Sequence, residues 1–88
     1  MQRPLRHQAA PSFWAAYDQL PTEIRQLVDK CFEMLKQNPR HPSLHFKKAG
    51  RYWSVRVGLY YRAVGLDTQD GVAWFWIGSH PEYDKLVS

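Results

Sequence analysis

The stretch Arg51-Tyr-Trp-Ser-Val-Arg-Val-Gly-Leu-Tyr-Tyr-Arg-Ala-Val-Gly-Leu66 decides how the rest of this 88-residue chain is read. Bulky Trp53, Val55 and Val57 alternate with Tyr52, Ser54 and Arg56, the period of a strand with one buried and one open face. A second strand-like run, Tyr61 to Leu66, follows after only Gly58, Leu59 and Tyr60, which is hairpin spacing. A three-residue loop eased by Gly58 pairs Val57 with Tyr61 and sets Arg56 across from Arg62 on one face. A two-residue loop breaks that pairing, because a one-residue slip sends side chains to the opposite face. Two arginines side by side repel each other. Either both are solvated charges on an exposed face, or they form a phosphate clamp, since the guanidinium fork matches phosphate oxygens and stays charged at any working pH.

Outward from the hairpin, the pattern divides into helices before it and strands around it. Met1 to Ala10 has no periodicity and reads as a tail that is flexible or pairs weakly along a sheet edge, with Arg3, Arg6 and His7 either as solubilising residues or as contacts to an anion. Ser12 is a good N-cap for a helix from Phe13 to Gln19, with Phe13, Trp14 and Tyr17 on one side. Leu20-Pro21 breaks it, and Pro21 then suits the first turn of a second helix running to about Gln37. Ile24, Leu27, Val28, Cys31, Leu35 and, at the margin, Phe32 form its core-facing stripe, while Arg25 and Asp29 are spaced as a surface pair. Asn38 to Ser43, with two prolines, is a loop. Leu44 to Lys48 reads as a strand, Asp67 to Gly71 as a turn, and the wholly apolar run Val72 to Ile77 as a central strand buried on both faces. Gly78 to Pro81 ends that strand, and Glu82 to Ser88 is a short tail with room for one helical turn. The expectation is an α+β fold: an N-terminal helical hairpin packed on one face of a mainly antiparallel four-stranded sheet. Residues 11–88 are one domain, preceded by residues 1–10 as tail or edge segment.

Composition narrows the function classes. A chain this short buries only roughly 60–65% of its unfolded surface, so its core must be dense, and four Trp, five Tyr and four Phe supply the density. The net charge of +4 favours a polyanionic or acidic partner. Its distribution says more: Lys47, Lys48, Arg51, Arg56 and Arg62 cluster around the hairpin, with no acidic residue between Lys36 and Leu66. The single Cys31 lies on the apolar side of a helical pattern and reads as a buried structural thiol in a reducing compartment. No run approaches a membrane span and the first residues lack the apolar core of a signal peptide, so a cytoplasmic location is expected. The four histidines have no metal-ligand spacing, and no Gly-rich phosphate loop occurs.

Lys47-Lys48, then Trp53-Ser-Val-Arg-Val-Gly58, then Tyr61-Arg62, then an apolar strand ending Ile77-Gly-Ser-His-Pro-Glu-Tyr83, resembles the RelE/ParE superfamily of small bacterial toxins. The resemblance covers Phe13 to the end. It implies a toxin of a type II toxin-antitoxin system, and within that superfamily the RelE branch: an endoribonuclease that cuts mRNA on the ribosome, inhibits translation, uses no metal or small-molecule cofactor and is held inactive by a cognate antitoxin. The alternatives are a ParE-like DNA gyrase poison with no enzymatic activity, or an inactive regulatory member.

Metal-free cleavage of RNA needs a base for the attacking 2′-hydroxyl, an acid for the leaving 5′-oxygen and cations for the phosphoryl charge. Histidine suits the proton transfers and arginine the phosphate. By the residues alone His80 is either a surface loop histidine or a group projecting into a cleft, and Tyr83 either a core-capping residue or one that stacks or donates a proton. Resemblance assigns catalysis to His80, Arg62, Tyr83 and Arg56. Lys47, Lys48 and Arg51 are the RNA-binding candidates, joined by His45, a reserve base two residues before Lys47 on the same expected strand face. His41 reads as structural or exposed, Glu82 as solvated, and Asp84 as either solvated or orienting His80. Some superfamily members carry a second lysine where this chain has Ser54, which leaves the identity of the base open.

Overall fold

Val57 pairs with Tyr61 and Arg56 with Arg62, so the hairpin closes through the three-residue loop Gly58, Leu59 and Tyr60. Gly58 takes a positive φ of 60°, the left-handed turn conformation that glycine adopts without steric cost. Around this hairpin the computed structural model describes residues 5–87. The elements are β1 (Arg6–Ala9), α1 (Pro11–Asp18), α2 (Thr22–Gln37), a 3-10 turn (Pro42–Leu44), β2 (Lys47–Ala49), β3 (Tyr52–Val57), β4 (Tyr61–Asp67), β5 (Gly71–Ser79) and α3 (His80–Val87).

The sheet order is β1-β5-β4-β3-β2, with β1 parallel to β5 and the other pairs antiparallel. The expected four-stranded sheet is therefore a five-stranded mixed one, and the described chain enters the fold on a strand before its helices. Of the two readings of residues 1–10, edge pairing holds for Arg6–Ala9. Residues 1–4, Arg3 among them, lie outside the described residues. β1 is held through its backbone: Arg6 N donates to Asp70 O at 3.0 Å and Ala10 N to Trp74 O at 2.8 Å. Gly71 permits the approach, since a Cβ there would collide with the backbone of Arg6.

One face of the sheet carries Val55, Val57, Ala63, Val72, Trp74 and Ile77 against Phe13, Val28, Cys31 and Leu35 of the two N-terminal helices. Burial of this apolar set is the main force holding the layers together. Val28, Cys31 and Leu35 of the expected stripe are fully inside, whereas Leu27 and Trp14 remain substantially exposed. The Cys31 thiol donates to Arg56 O at 3.3 Å, and burial pushes its pKa up to about 11, so it is a protonated structural group at neutral pH.

Several local expectations are corrected. Helix α1 starts at Pro11, and Ser12 Oγ donates to Phe75 O on β5 instead of capping it. Pro21 sits at the N-cap position of α2 rather than in its first turn. Arg25 and Asp29 do not pair: Arg25 Nη2 donates to Thr22 Oγ1, and Asp29 accepts from Tyr17 OH at 2.9 Å, which ties α1 to α2. Leu44 belongs to the 3-10 turn, His45 has a left-handed φ of 46°, and the strand begins only at Lys47. The C-terminal tail is an eight-residue helix packed on β4 and β5, which partly covers the face expected to be open. Ser54, assigned to that face as a polar residue, is buried.

Helix α3 starts where it does because of a reciprocal cap. Ser79 Oγ and Ser79 N both donate to Glu82 Oε1, at 2.8 and 3.2 Å, and Glu82 N donates back to Ser79 Oγ at 3.4 Å. Pro81 is tolerated in the first turn, where no intrahelical donor is needed. Glu82 is thus a capping residue, and the Ser79 hydroxyl and backbone N–H hold its carboxyl below the usual range.

Candidate functional site

Register sorts the basic residues onto two faces. Partners across a sheet share a face, so Lys47, Ser54, Val64 and Trp76 lie on one side, joined two residues along by Arg56, Arg62 and Gly78. Lys48 is across from Trp53 and points the other way. There Lys48 Nζ donates to Asp67 Oδ2 at 2.9 Å and Trp53 Nε1 to Asp67 Oδ1 at 2.9 Å, and these two donors hold the Asp67 carboxyl below its ordinary range. Lys48 therefore does not share a face with the arginine pair. Arg51 is in the turn before β3, its guanidinium 5.6 Å from the Tyr52 ring and its backbone roughly 17 Å along the strand from that of Arg56. His45, lying outside any strand, loses the same-face relation to Lys47.

Arg62 is the most constrained of the cations. Its Nε and Nη1 are buried with no hydrogen-bond acceptor among the described residues, and its guanidinium stands 5.7 Å from the centre of the Tyr83 ring. Buried donors without acceptors are costly, and an anion able to reach this head group would relieve that cost. Arg56 donates through Nε to Gly58 O at 3.0 Å, which fixes its guanidinium toward the hairpin loop.

His80 is the first residue of α3, placed directly after β5, and its backbone N donates to Tyr60 O at 2.7 Å. Its Nδ1 is 3.2 Å from Asp84 Oδ2, one helical turn on, and its ring lies 5.9 Å from that of Tyr83. A proton on Nδ1 facing the carboxylate leaves Nε2 to accept or deliver a proton, the arrangement that general acid-base chemistry requires. Arg62, Tyr83, His80 and Asp84 thus form a contiguous chain across β4 and α3, with Arg56 opposite Arg62. Asp84, whose role had been left between two readings, pairs with His80. Its signal is in the sequence: Ser79-His-Pro-Glu82 is a capping-box pattern, and a helix starting there sets Asp84 four residues after His80 on the same side.

Elsewhere, a groove lined by Phe13, Trp14, Tyr17, Phe32 and Trp74 opens on the helical side, on the far face from Arg62. In it Trp74 Nε1 donates to His7 Nδ1 at 3.0 Å. Among the described residues no three His, Cys, Asp or Glu side chains gather as metal ligands, and no helix is long and apolar enough to cross a membrane.

The family model described as ParE-like toxin domain matches residues 25–85. Comparison with curated proteins finds no match. Among solved structures, the RelB-RelE antitoxin-toxin complex of Methanococcus jannaschii has a chain that is 20% identical, with a TM-score of 0.68 over 92% of this chain and 99% of that one. A chain of the toxin-antitoxin complex RelBE2 of Mycobacterium tuberculosis is 17% identical, TM-score 0.65, over 89% and 100%. The isolated RelE toxin of E. coli is 13% identical, TM-score 0.61, over 94% and 95%. At these identities the likeness is one of fold.

Proposed function

Because the chain belongs to the ParE-like toxin domain family, we propose that it is the toxin of a toxin-antitoxin pair and acts as a metal-independent endoribonuclease on ribosome-bound mRNA. The observation that carries the chemistry is the Arg62 guanidinium, with two buried donors that lack acceptors, in contact through Tyr83 with the His80–Asp84 pair. A cation held against a ring, with two donors that lack acceptors among the described residues, beside a proton-transfer group suits a phosphate undergoing displacement.

In this reading the scissile phosphate sits against Arg62 and Arg56. His80 moves a proton through Nε2 while Asp84 fixes its tautomer, and Tyr83 orients Arg62 and His80 between them. Lys47, directly across from Ser54, brings a cation to the place where some superfamily members carry a second lysine. Lys48 and Arg51 are left with peripheral roles. The partner is an antitoxin with an acidic segment that covers or distorts the basic face, so its association slows at high salt. The presence of RelB antitoxins in complexes with two of the similar folds supports such a partner.

Expression in a tester strain with mapping of mRNA ends at stalled ribosomes tests the reading. Growth arrest with new mRNA ends in the decoding site is the expected result. DNA damage that depends on gyrase would assign the chain to the rival poison, against which the His80–Asp84 pair weighs; no toxicity would mark an inactive member.

A further inference from the structure

Leu59 and Tyr60, at the tip of the β3–β4 hairpin, are 70% and 71% exposed, the two most exposed large apolar side chains described. The tip is nevertheless held from two sides by residues of the candidate site. His80 N donates to Tyr60 O, and Arg56 Nε donates to Gly58 O. An exposed ring on a fixed backbone loses little freedom when something stacks on it.

Tyr83, the aromatic residue that resemblance points to, has its ring engaged by Arg62 and tilted against His80. Tyr60, by contrast, makes no ring contact and no side-chain hydrogen bond among the described residues. A fixed, unengaged aromatic beside paired arginines is the combination with which proteins hold single-stranded nucleic acid, cations on the backbone and a ring under a base.

We propose that Tyr60 is a base-stacking subsite: the base next to the phosphate gripped by Arg56 and Arg62 lies on its ring, with Leu59 extending the apolar platform. The inference rests on the nuclease reading and adds to it the position of a neighbouring nucleotide. Because stacking accepts every base, Tyr60 contributes affinity and positioning with little sequence preference.

The test is binding to ribosomes programmed with mRNA made uncleavable by 2′-O-methylation in the decoding site, alongside cleavage of the unmodified mRNA. Tyr60→Phe keeps the ring and should bind within about twofold of the parent. Tyr60→Ala should weaken binding roughly 5- to 150-fold. An mRNA abasic at the adjacent nucleotide, used with the unaltered protein, should weaken binding similarly, and combining it with Tyr60→Ala should cost no more than either change alone. Unchanged binding by Tyr60→Ala overturns the subsite. So do losses that add fully, since they place the Tyr60 contact on something other than that base. If the unaltered protein neither binds programmed ribosomes nor cuts mRNA, the nuclease reading falls and the subsite with it; normal cutting with Tyr60→Ala indifferent removes the subsite alone.

Discussion

His80 Nδ1 stands 3.2 Å from Asp84 Oδ2 across one turn of α3, so under the proposed function the imidazole's second nitrogen carries the proton transfer. Replacing His80 by Ala should lower single-turnover cleavage of ribosome-bound mRNA by roughly 10²–10⁴ and leave ribosome binding nearly intact. Both members of the pair are substantially exposed, and exposed pairs are worth only about 0.2–1 kcal/mol. Asp84→Asn should therefore cost no more than roughly fivefold in rate. A loss as large as that of His80→Ala would give Asp84 a direct part in proton transfer.

Arg62 and Arg56 face the same side but are anchored differently, one against Tyr83 and the other on Gly58 O. Arg62→Ala should remove about 3–4 kcal/mol of transition-state stabilisation. Arg62→Lys keeps the charge, loses the planar fork and should still impair cleavage. Arg56→Ala should mainly weaken binding and flatten its salt dependence. Equal effects of all three on kcat, with binding unchanged, would contradict this division.

Adjacent lysines should behave differently. Lys47 shares the face of the arginine pair, whereas Lys48 is turned to Asp67. Lys47→Ala should reduce affinity for programmed ribosomes and lower the salt slope by about one. Lys48→Ala should leave both unchanged. Parallel losses from the two substitutions would mean that the register of β2 is wrong.

His7 should make the seating of β1 sensitive to acid. Burial, aided by the nearby charge of Lys36, lowers its pKa below 6.5, and its Nδ1 accepts from Trp74 Nε1. A lowered folded-state pKa means that the unfolded chain takes up the proton first. Stability is thus retained above pH 6.5 and lost as pH falls from there through the folded value. Thermal midpoints at pH 7 and pH 5 should differ more for the parent than for His7→Gln; equal differences would show that other groups dominate.

The hairpin was readable because two independent signals agree there: alternation sets the faces, and the length of the Gly58–Tyr60 loop sets the register that brings Arg56 opposite Arg62. The burial of Ser54 was not readable, since the pleat says which face a residue occupies and not what covers that face. Strand β1 is only one of two readings of the sequence because Arg-His-Gln-Ala carries no apolar pattern and is held by backbone bonds to a strand far along the chain. Lys48 groups with the arginines in the sequence because its partner Asp67 reads there as the start of a turn, whereas it is the last residue of β4. The helix bearing His80 and Asp84 was underestimated although its capping pattern is written at Ser79 and Glu82, masked by Pro81, which reads as a breaker unless its first-turn position is recognised.

The parallel pairing of β1 with β5 also orders the events of synthesis. Arg6 is opposite Gly71, so 65 residues must follow it off the ribosome before its partner exists. Contacts between such distant segments form late, after the closure cost of the intervening loop has been met. His80, Tyr83 and Asp84 emerge later still. A nascent chain therefore carries the arginine hairpin shortly before it has either the full sheet or His80, Tyr83 and Asp84, and that brief interval belongs to whatever can bind the hairpin first.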